Sequence, residues 1–148
     1  MTNNLPSLTK LKSRSGAFLP DQVMGDQIRL KQILINLIKN ALKFTPQGQI
    51  LIKVAYEWDR QQLIVHVVDT GRGLTNQEMN QLFHMFSKAK CTEDMNIDGI
   101  GMGLIICKRI IENSGGEINV VSAGEDRGAT FMFSIKMELL ESHEAYSR

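Results

Sequence analysis

The apolar residues change rhythm several times along the chain. From Ile28 through Leu30, Ile33, Leu34, Leu37 and Ile38 to Ala41 they recur at helical spacing, which predicts an amphipathic helix. Asp26 stands at its N-cap position, and Pro46 disfavours an α conformation at Thr45, so the helix should end near Phe44. Two β-like runs follow, residues 49–57 and 62–69, joined by a polar turn around Asp59 and Arg60. Thr75 and Glu78 make a T-x-x-E capping box and predict a short helix to about Phe83. Residues 87–98 show no period and read as a mobile loop. A helix from about Gly103 to Asn113 meets a stop at Gly115 and Gly116, and two more strands are expected over 117–122 and 129–137. Residues 1–25 are polar and read as a loosely ordered lead-in, with a short strand around 17–19. Hairpins dominate over β-α-β crossovers. The pattern therefore predicts an α+β two-layer sandwich, a mostly antiparallel mixed sheet covered by about three helices. The expected division is a flexible segment over 1–19, one domain over 20–137, and a charged, fraying tail over 138–148.

Composition narrows the function classes. At 148 residues the chain suits one domain with its own core, and 43% apolar with 22% charged residues is ordinary for a globular protein. A formal net charge of +1, without a dense Lys/Arg block, lacks the electrostatic footprint of a nucleic-acid binder. Cys91 and Cys107 have no C-x-x-C partner, which supports neither a disulfide framework nor a structural zinc site and fits a reducing compartment. No apolar run is long enough to span a bilayer, and residues 1–10 lack a signal-peptide core. A soluble piece without membrane contact is expected.

Three places carry candidate chemistry. Asn36 and Asn40 share one face of the first helix, with Lys43 and Phe44 a turn further on. Asn is a middling helix former, so two of them mid-helix reduce intrinsic stability. They read either as a solvated face or as a hard-cation and phosphate site. Asp69 closes an apolar strand and is followed by Thr70-Gly71-Arg72-Gly73. Its carboxylate either caps the turn or accepts from the exocyclic amine of a base, with Gly71 and Gly73 allowing close backbone approach. Gly99-Ile100-Gly101-Met102-Gly103-Leu104 precedes a helix, and close-approach glycines at a helix N-terminus suit an anion. The spacing is neither the G-x-G-x-x-G of dinucleotide folds nor a Walker A loop.

In that order and at that spacing the motifs resemble the ATP-binding catalytic domain of sensor histidine kinases, within the wider group of gyrase, mismatch-repair and heat-shock chaperone ATPases. The asparagine box covers 26–45, the first glycine box 69–74 and the second 99–104. Leu82-Phe83-His84-Met85-Phe86 looks like the phenylalanine box, and Gly128-Ala129-Thr130-Phe131 like the closing strand motif. The stretch G-D-x-x-R-L-x-Q-I-L with N-A-x-K-F-T looks most like hybrid-type two-component kinases.

The resemblance implies a Bergerat-type fold that binds ATP and Mg²⁺. On it, Asn40 would hold Mg²⁺ with Asn36 beside it, Lys43 would contact phosphate, and Phe44 would stack near the adenine. Asp69 would accept from the adenine amine, with Gly71, Gly73 and Leu74 shaping the base pocket. Gly99, Ile100, Gly101, Met102, Gly103 and Leu104 would wrap the triphosphate at the hinge of a lid. Phe86 would pack under that lid, and Lys88 would aim at the γ-phosphate. Related ATPases carry Glu where this chain has Asn36, and an amide cannot serve as general base. The resemblance therefore implies slow hydrolysis and transfer to an external histidine. His66 sits within a strand, His84 between two phenylalanines, and His143 near the end, and none suits the acceptor role. The implied partners are a histidine-containing dimerisation domain and a receiver domain, with a monomeric isolated domain, a homodimeric parent and a cytoplasmic location. The competing readings are a nucleotide-binding regulatory module without transfer activity, and an ATPase of the gyrase or chaperone kind.

Overall fold

In the computed structural model, residues 7–10, 19–87 and 102–140 are described, with backbone alone for 7–10, 83–87 and 102. The elements are β1 (Ser7–Lys10), β2 (Gln22–Gly25), α1 (Gln27–Phe44), β3 (Ile50–Glu57), β4 (Gln62–Asp69), α2 (Asn76–Ser87), α3 (Met102–Asn113), β5 (Ile118–Val121), β6 (Ala129–Lys136) and β7 (Glu138–Leu139). The main sheet has the order β3-β4-β6-β5, and every pairing in it is antiparallel. The central strand β4 pairs along its whole length with β3 and β6, which brings Asp69 opposite Ile50 on one side and Ala129 on the other.

One face of this sheet is covered and the other meets solvent, the arrangement an alternating antiparallel sheet permits. Leu63, Val65 and Val67 of β4 and Phe131, Phe133 and Ile135 of β6 are buried. Against them lie Leu30, Ile33, Leu37 and Ala41 of α1 and Leu104, Cys107 and Ile111 of α3. His66, between buried positions on β4, is half-buried on the outer face, paired with Lys53 and Met132. Ile28, which spacing assigned to the apolar stripe of α1, is 79% exposed. It lies opposite the core line, in register with the exposed Ile35 and Leu42 seven and fourteen residues on.

Local signals in the sequence act as expected at most boundaries. Asp26 Oδ1 accepts from the Ile28 and Arg29 amides, both at 3.0 Å. The Thr75 hydroxyl accepts from the Glu78 amide at 3.1 Å while Glu78 Oε2 accepts from the Thr75 amide at 2.8 Å, a complete capping box. Helix α3 ends where Gly115 takes φ +69° and the Gly116 amide turns back to the Ile111 carbonyl at 3.0 Å.

Two expectations are corrected. Helix α2 runs on to Ser87 rather than stopping near Phe83, since no Gly or Pro interrupts it. The strand expected over 17–19 falls partly outside the described residues, and the strand found nearby is Gln22–Gly25. Glu138 and Leu139, placed in a fraying tail, pair with Met24 and Val23 in a second sheet of order β1-β2-β7. A two-residue strand such as β7 carries little sequence signal, because its partner β2 lies more than a hundred residues away. The mobile loop expected over 87–98 lies, beyond Ser87, outside the described residues.

Candidate functional site

Asp69 ends β4 with its side chain buried, 7% exposed. A carboxylate there must be answered by donors. The Gly71 amide donates to Oδ1 at 2.9 Å and the Ala129 amide to the same oxygen at 3.3 Å. Oδ2 receives no hydrogen bond from the described residues. The carboxylate thus caps the turn with one oxygen, and the residue also lines a cavity.

That cavity is bounded by Asn40, Ala41, Phe44, Asp69, Gly73, Leu74, Ala129 and Phe131. It joins the last turns of α1, the end of β4, the turn after it and the start of β6. Five of these residues, Asn40, Phe44, Asp69, Gly73 and Leu74, were singled out in the sequence. Ala129 and Phe131 were noted only as part of the closing strand motif, and Ala41 only as part of the apolar stripe of α1. Their signal was faint: Ala41 belongs to the apolar stripe, and Ala129 and Phe131 alternate on a strand whose register with β4 no single sequence reveals.

The two glycines of the turn do more than open the cavity. A Cβ on Gly71 would overlap the Phe44 carbonyl, and one on Gly73, at φ +67°, would overlap the Gly124 carbonyl. Backbone meets backbone at both points, tying the turn to the end of α1 and to the β5–β6 connection. Ser122 completes the tie: its hydroxyl accepts from the Leu74 amide at 3.1 Å and donates to the Gly128 carbonyl at 2.7 Å.

At the rim, Arg72 Nη1 donates to Glu78 Oε1 at 2.9 Å. The guanidinium carbon stands 4.8 Å from the centre of the Phe44 ring, and Lys43 Nζ stands 5.2 Å from it. Burial alone would raise the Glu78 pKa, but the Thr75 amide and the Arg72 guanidinium outweigh it and hold the carboxyl below its ordinary value. Arg72 and Glu78 were not anticipated as a pair, because they belong to separate motifs.

Asn36 faces elsewhere. Its Nδ2 donates to the Gly103 carbonyl in the first turn of α3 at 3.4 Å, and it does not line the cavity. Among the described residues no group of three or more His, Cys, Asp or Glu is placed to hold a metal ion. No helix among them is long and apolar enough to cross a membrane.

Residues 25–139 match the family described as histidine kinase-, DNA gyrase B-, and HSP90-like ATPase. The chain belongs to this family. Among its relatives are the sensor histidine kinase GacS of Pseudomonas protegens, 42% identical over 121 residues, and the signal transduction histidine-protein kinase BarA of Escherichia coli K12, 38% identical over 124. These alignments take in 80% and 82% of this chain but 13% of each relative, so the chain spans about an eighth of their length. Solved structures give the same fold. Full-length ShkA in complex with AMPPNP superimposes with a TM-score of 0.67 at 30% identity, over 85% of this chain and 25% of that one. The ThkA kinase in complex with the response regulator TrrA gives 0.56 at 29% identity, over 77% of this chain and 30% of that one.

As a histidine-kinase-type ATPase domain, the chain has its remaining motif residues distributed as follows. Lys43 is exposed in the last turn of α1. Gly71 is buried beneath the turn. Met102 opens α3, Gly103 is half-buried in its first turn, and Leu104 is fully buried in the core beside Ile33 and Leu37 rather than on the cavity wall. Lys88, Gly99, Ile100 and Gly101 lie outside the described residues, as does the side chain of Phe86.

Proposed function

We propose that this chain is the catalytic ATP-binding domain of a two-component sensor histidine kinase, positioning ATP for transfer of its γ-phosphoryl group to a histidine on a separate dimerisation domain. The observation that carries this reading is the Asp69 carboxylate, which lines the cavity with one oxygen spent on the turn and the other without a donor among the described residues. An adenine amine is a donor of the right kind for that oxygen. Apolar walls from Ala41, Leu74, Ala129 and Phe131 suit the faces of a flat base. The AMPPNP held by ShkA supports the same ligand class.

Asn40, one turn before Phe44 on the same helix, would hold Mg²⁺ through its amide oxygen, the remaining ligands falling to phosphate oxygens and water. Mg²⁺ binds with substrate phosphates and water rather than in dedicated protein cages, so a single amide oxygen is a sufficient protein ligand. When bound, Mg²⁺ neutralises phosphate charge and orients the transferred group. Lys43 would supply a point charge to the phosphates, Phe44 would border the base, and the 99–104 glycines with Lys88 would enclose the triphosphate. Asn36 provides no carboxylate to activate water, so hydrolysis should be slow and the acceptor external. The acceptor is a dimerisation domain, and a receiver domain takes the phosphoryl group next. The ThkA–TrrA complex supports a partner of the latter kind. The parent is a cytoplasmic-facing homodimer, and the isolated domain a monomer with no nucleic-acid or membrane role of its own.

The test is reconstitution. Alone with labelled ATP and Mg²⁺, the chain should remain unlabelled and turn over ATP slowly. With a histidine-bearing helical hairpin from a GacS-type kinase, acid-labile phosphohistidine should appear on the hairpin. ATP binding without transfer would refute the kinase assignment, and brisk steady-state hydrolysis would move the domain to the ATPase class.

A further inference from the structure

Asn36 sits one turn from Asn40 on α1, yet its surroundings are those of a helix contact. Its amide nitrogen donates to the Gly103 carbonyl. Gly103 presents its bare α-carbon to the same side chain: a Cβ there would lie 3.5 Å from Asn36 Cγ and 3.6 Å from Oδ1, ordinary packing distances. One turn further along α3, the fully buried Cys107 donates its thiol to the Ile33 carbonyl of α1 at 3.8 Å. Burial pushes the Cys107 thiol up, and hydrogen bonding with the Asn36 side chain pulls it part of the way back. Polar ties at successive turns therefore join α1 to α3.

We propose that Asn36 is a positioning residue, a latch whose carboxamide holds the N-terminal turn of α3 against α1 and so sets where that helix end stands relative to the nucleotide cavity. The latch rests on the nucleotide-binding reading above and gives Asn36 a role distinct from Asn40. Asn40 lines the cavity, whereas Asn36 faces a protein carbonyl. A carboxylate at the same place would set oxygen against the Gly103 oxygen, so the position distinguishes an amide from an acid. Among the described residues, the titratable groups nearest to it are Cys107 on α3 and, one and two turns on along α1, Lys39 and Lys43.

The experiment uses two variants of the whole chain. Asn36→Leu keeps the shape and removes the donor. ATP titrated calorimetrically should bind about 3- to 10-fold more weakly, by the same factor in Mg²⁺ and in EDTA. In the absence of nucleotide, amide exchange over residues 106–108 should accelerate by a similar factor. A loss confined to Mg²⁺ would make Asn36 a metal ligand and overturn the latch, as would unchanged exchange. Asn36→Asp should match the Leu variant at pH 8. Measured against the unaltered chain at each pH, it should recover only as pH falls toward about 4, where an aspartic carboxyl takes up a proton and again offers a donor. An Asp variant that binds Mg²⁺-ATP more tightly than the parent at pH 8 would also overturn it. If the unaltered chain fails to bind ATP, the functional reading falls, while the exchange measurement still decides the latch.

Discussion

Asp69 meets a structural need with one carboxylate oxygen, while the other has no hydrogen-bond donor among the described residues. Its Oδ1 accepts from Gly71 and Ala129, so the buried charge is compensated whether or not a ligand is bound. Asp69→Asn separates the turn cap from the proposed base contact. An asparagine keeps one oxygen for the two amides and turns an NH₂ toward the cavity, where it would oppose an adenine amine. The variant should fold with near-parental stability and bind ATP about 10- to 100-fold more weakly, as calorimetry would report. Unchanged affinity would remove Asp69 from base recognition. The residue was legible in the sequence because a carboxylate closing an apolar strand is costly and invites an explanation. The division of its oxygens was not legible, since Ala129 stands sixty residues away.

At the scale of elements, the caps and stops are local and were mostly readable: Asp26, the Thr75–Glu78 box and Gly115 all act within a few residues of themselves. Glu78 adds a contact that is not local to its helix, the ion pair with Arg72, which in turn stacks on Phe44. Because its folded pKa is lowered, Glu78 stabilises the fold above its unfolded value, which is near the ordinary 4.5. That contribution is lost as pH falls through the folded value. Urea melts between pH 7 and pH 3 should therefore show Glu78→Gln less stable than the parent at pH 7, by about 1 kcal/mol, with the gap closing below pH 4.5. A gap that stays constant with pH would deny the carboxylate this role. The end of α2 at Ser87 and the pairing of β7 were misread for the opposite reason, since neither depends on a local breaker or cap.

For the whole molecule, the decisive contacts join backbone to backbone between distant segments. Gly128, at φ +68°, packs its α-carbon against the Asp69 carbonyl, while its amide donates to Gly71 at 3.1 Å. Gly115 has a similar φ of +69° but nothing within 4 Å of where a Cβ would stand. Gly115→Ala should lose only conformational strain, about 1–2 kcal/mol, and leave ATP affinity unchanged. Gly128→Ala should lose that plus the overlap, more than about 2 kcal/mol in a urea melt. It should also weaken ATP binding, because Ala129 can no longer hold its place beside Asp69. Equal losses in the two variants, with binding intact in both, would show that this packing does not shape the cavity.

The order of elements and their caps are set by short stretches of chain, so the sequence alone determined the fold class and nominated Asn40, Phe44, Asp69, Gly73 and Leu74 as candidate site residues. Only the folded chain decided that Asn36 turns to α3, that Leu104 enters the core, and that Ala41, Ala129 and Phe131 complete the cavity. Those outcomes depend on the register between β4 and β6 and on the approach of α3 to α1. Long-range packing sets both, and no periodicity within a single segment encodes either.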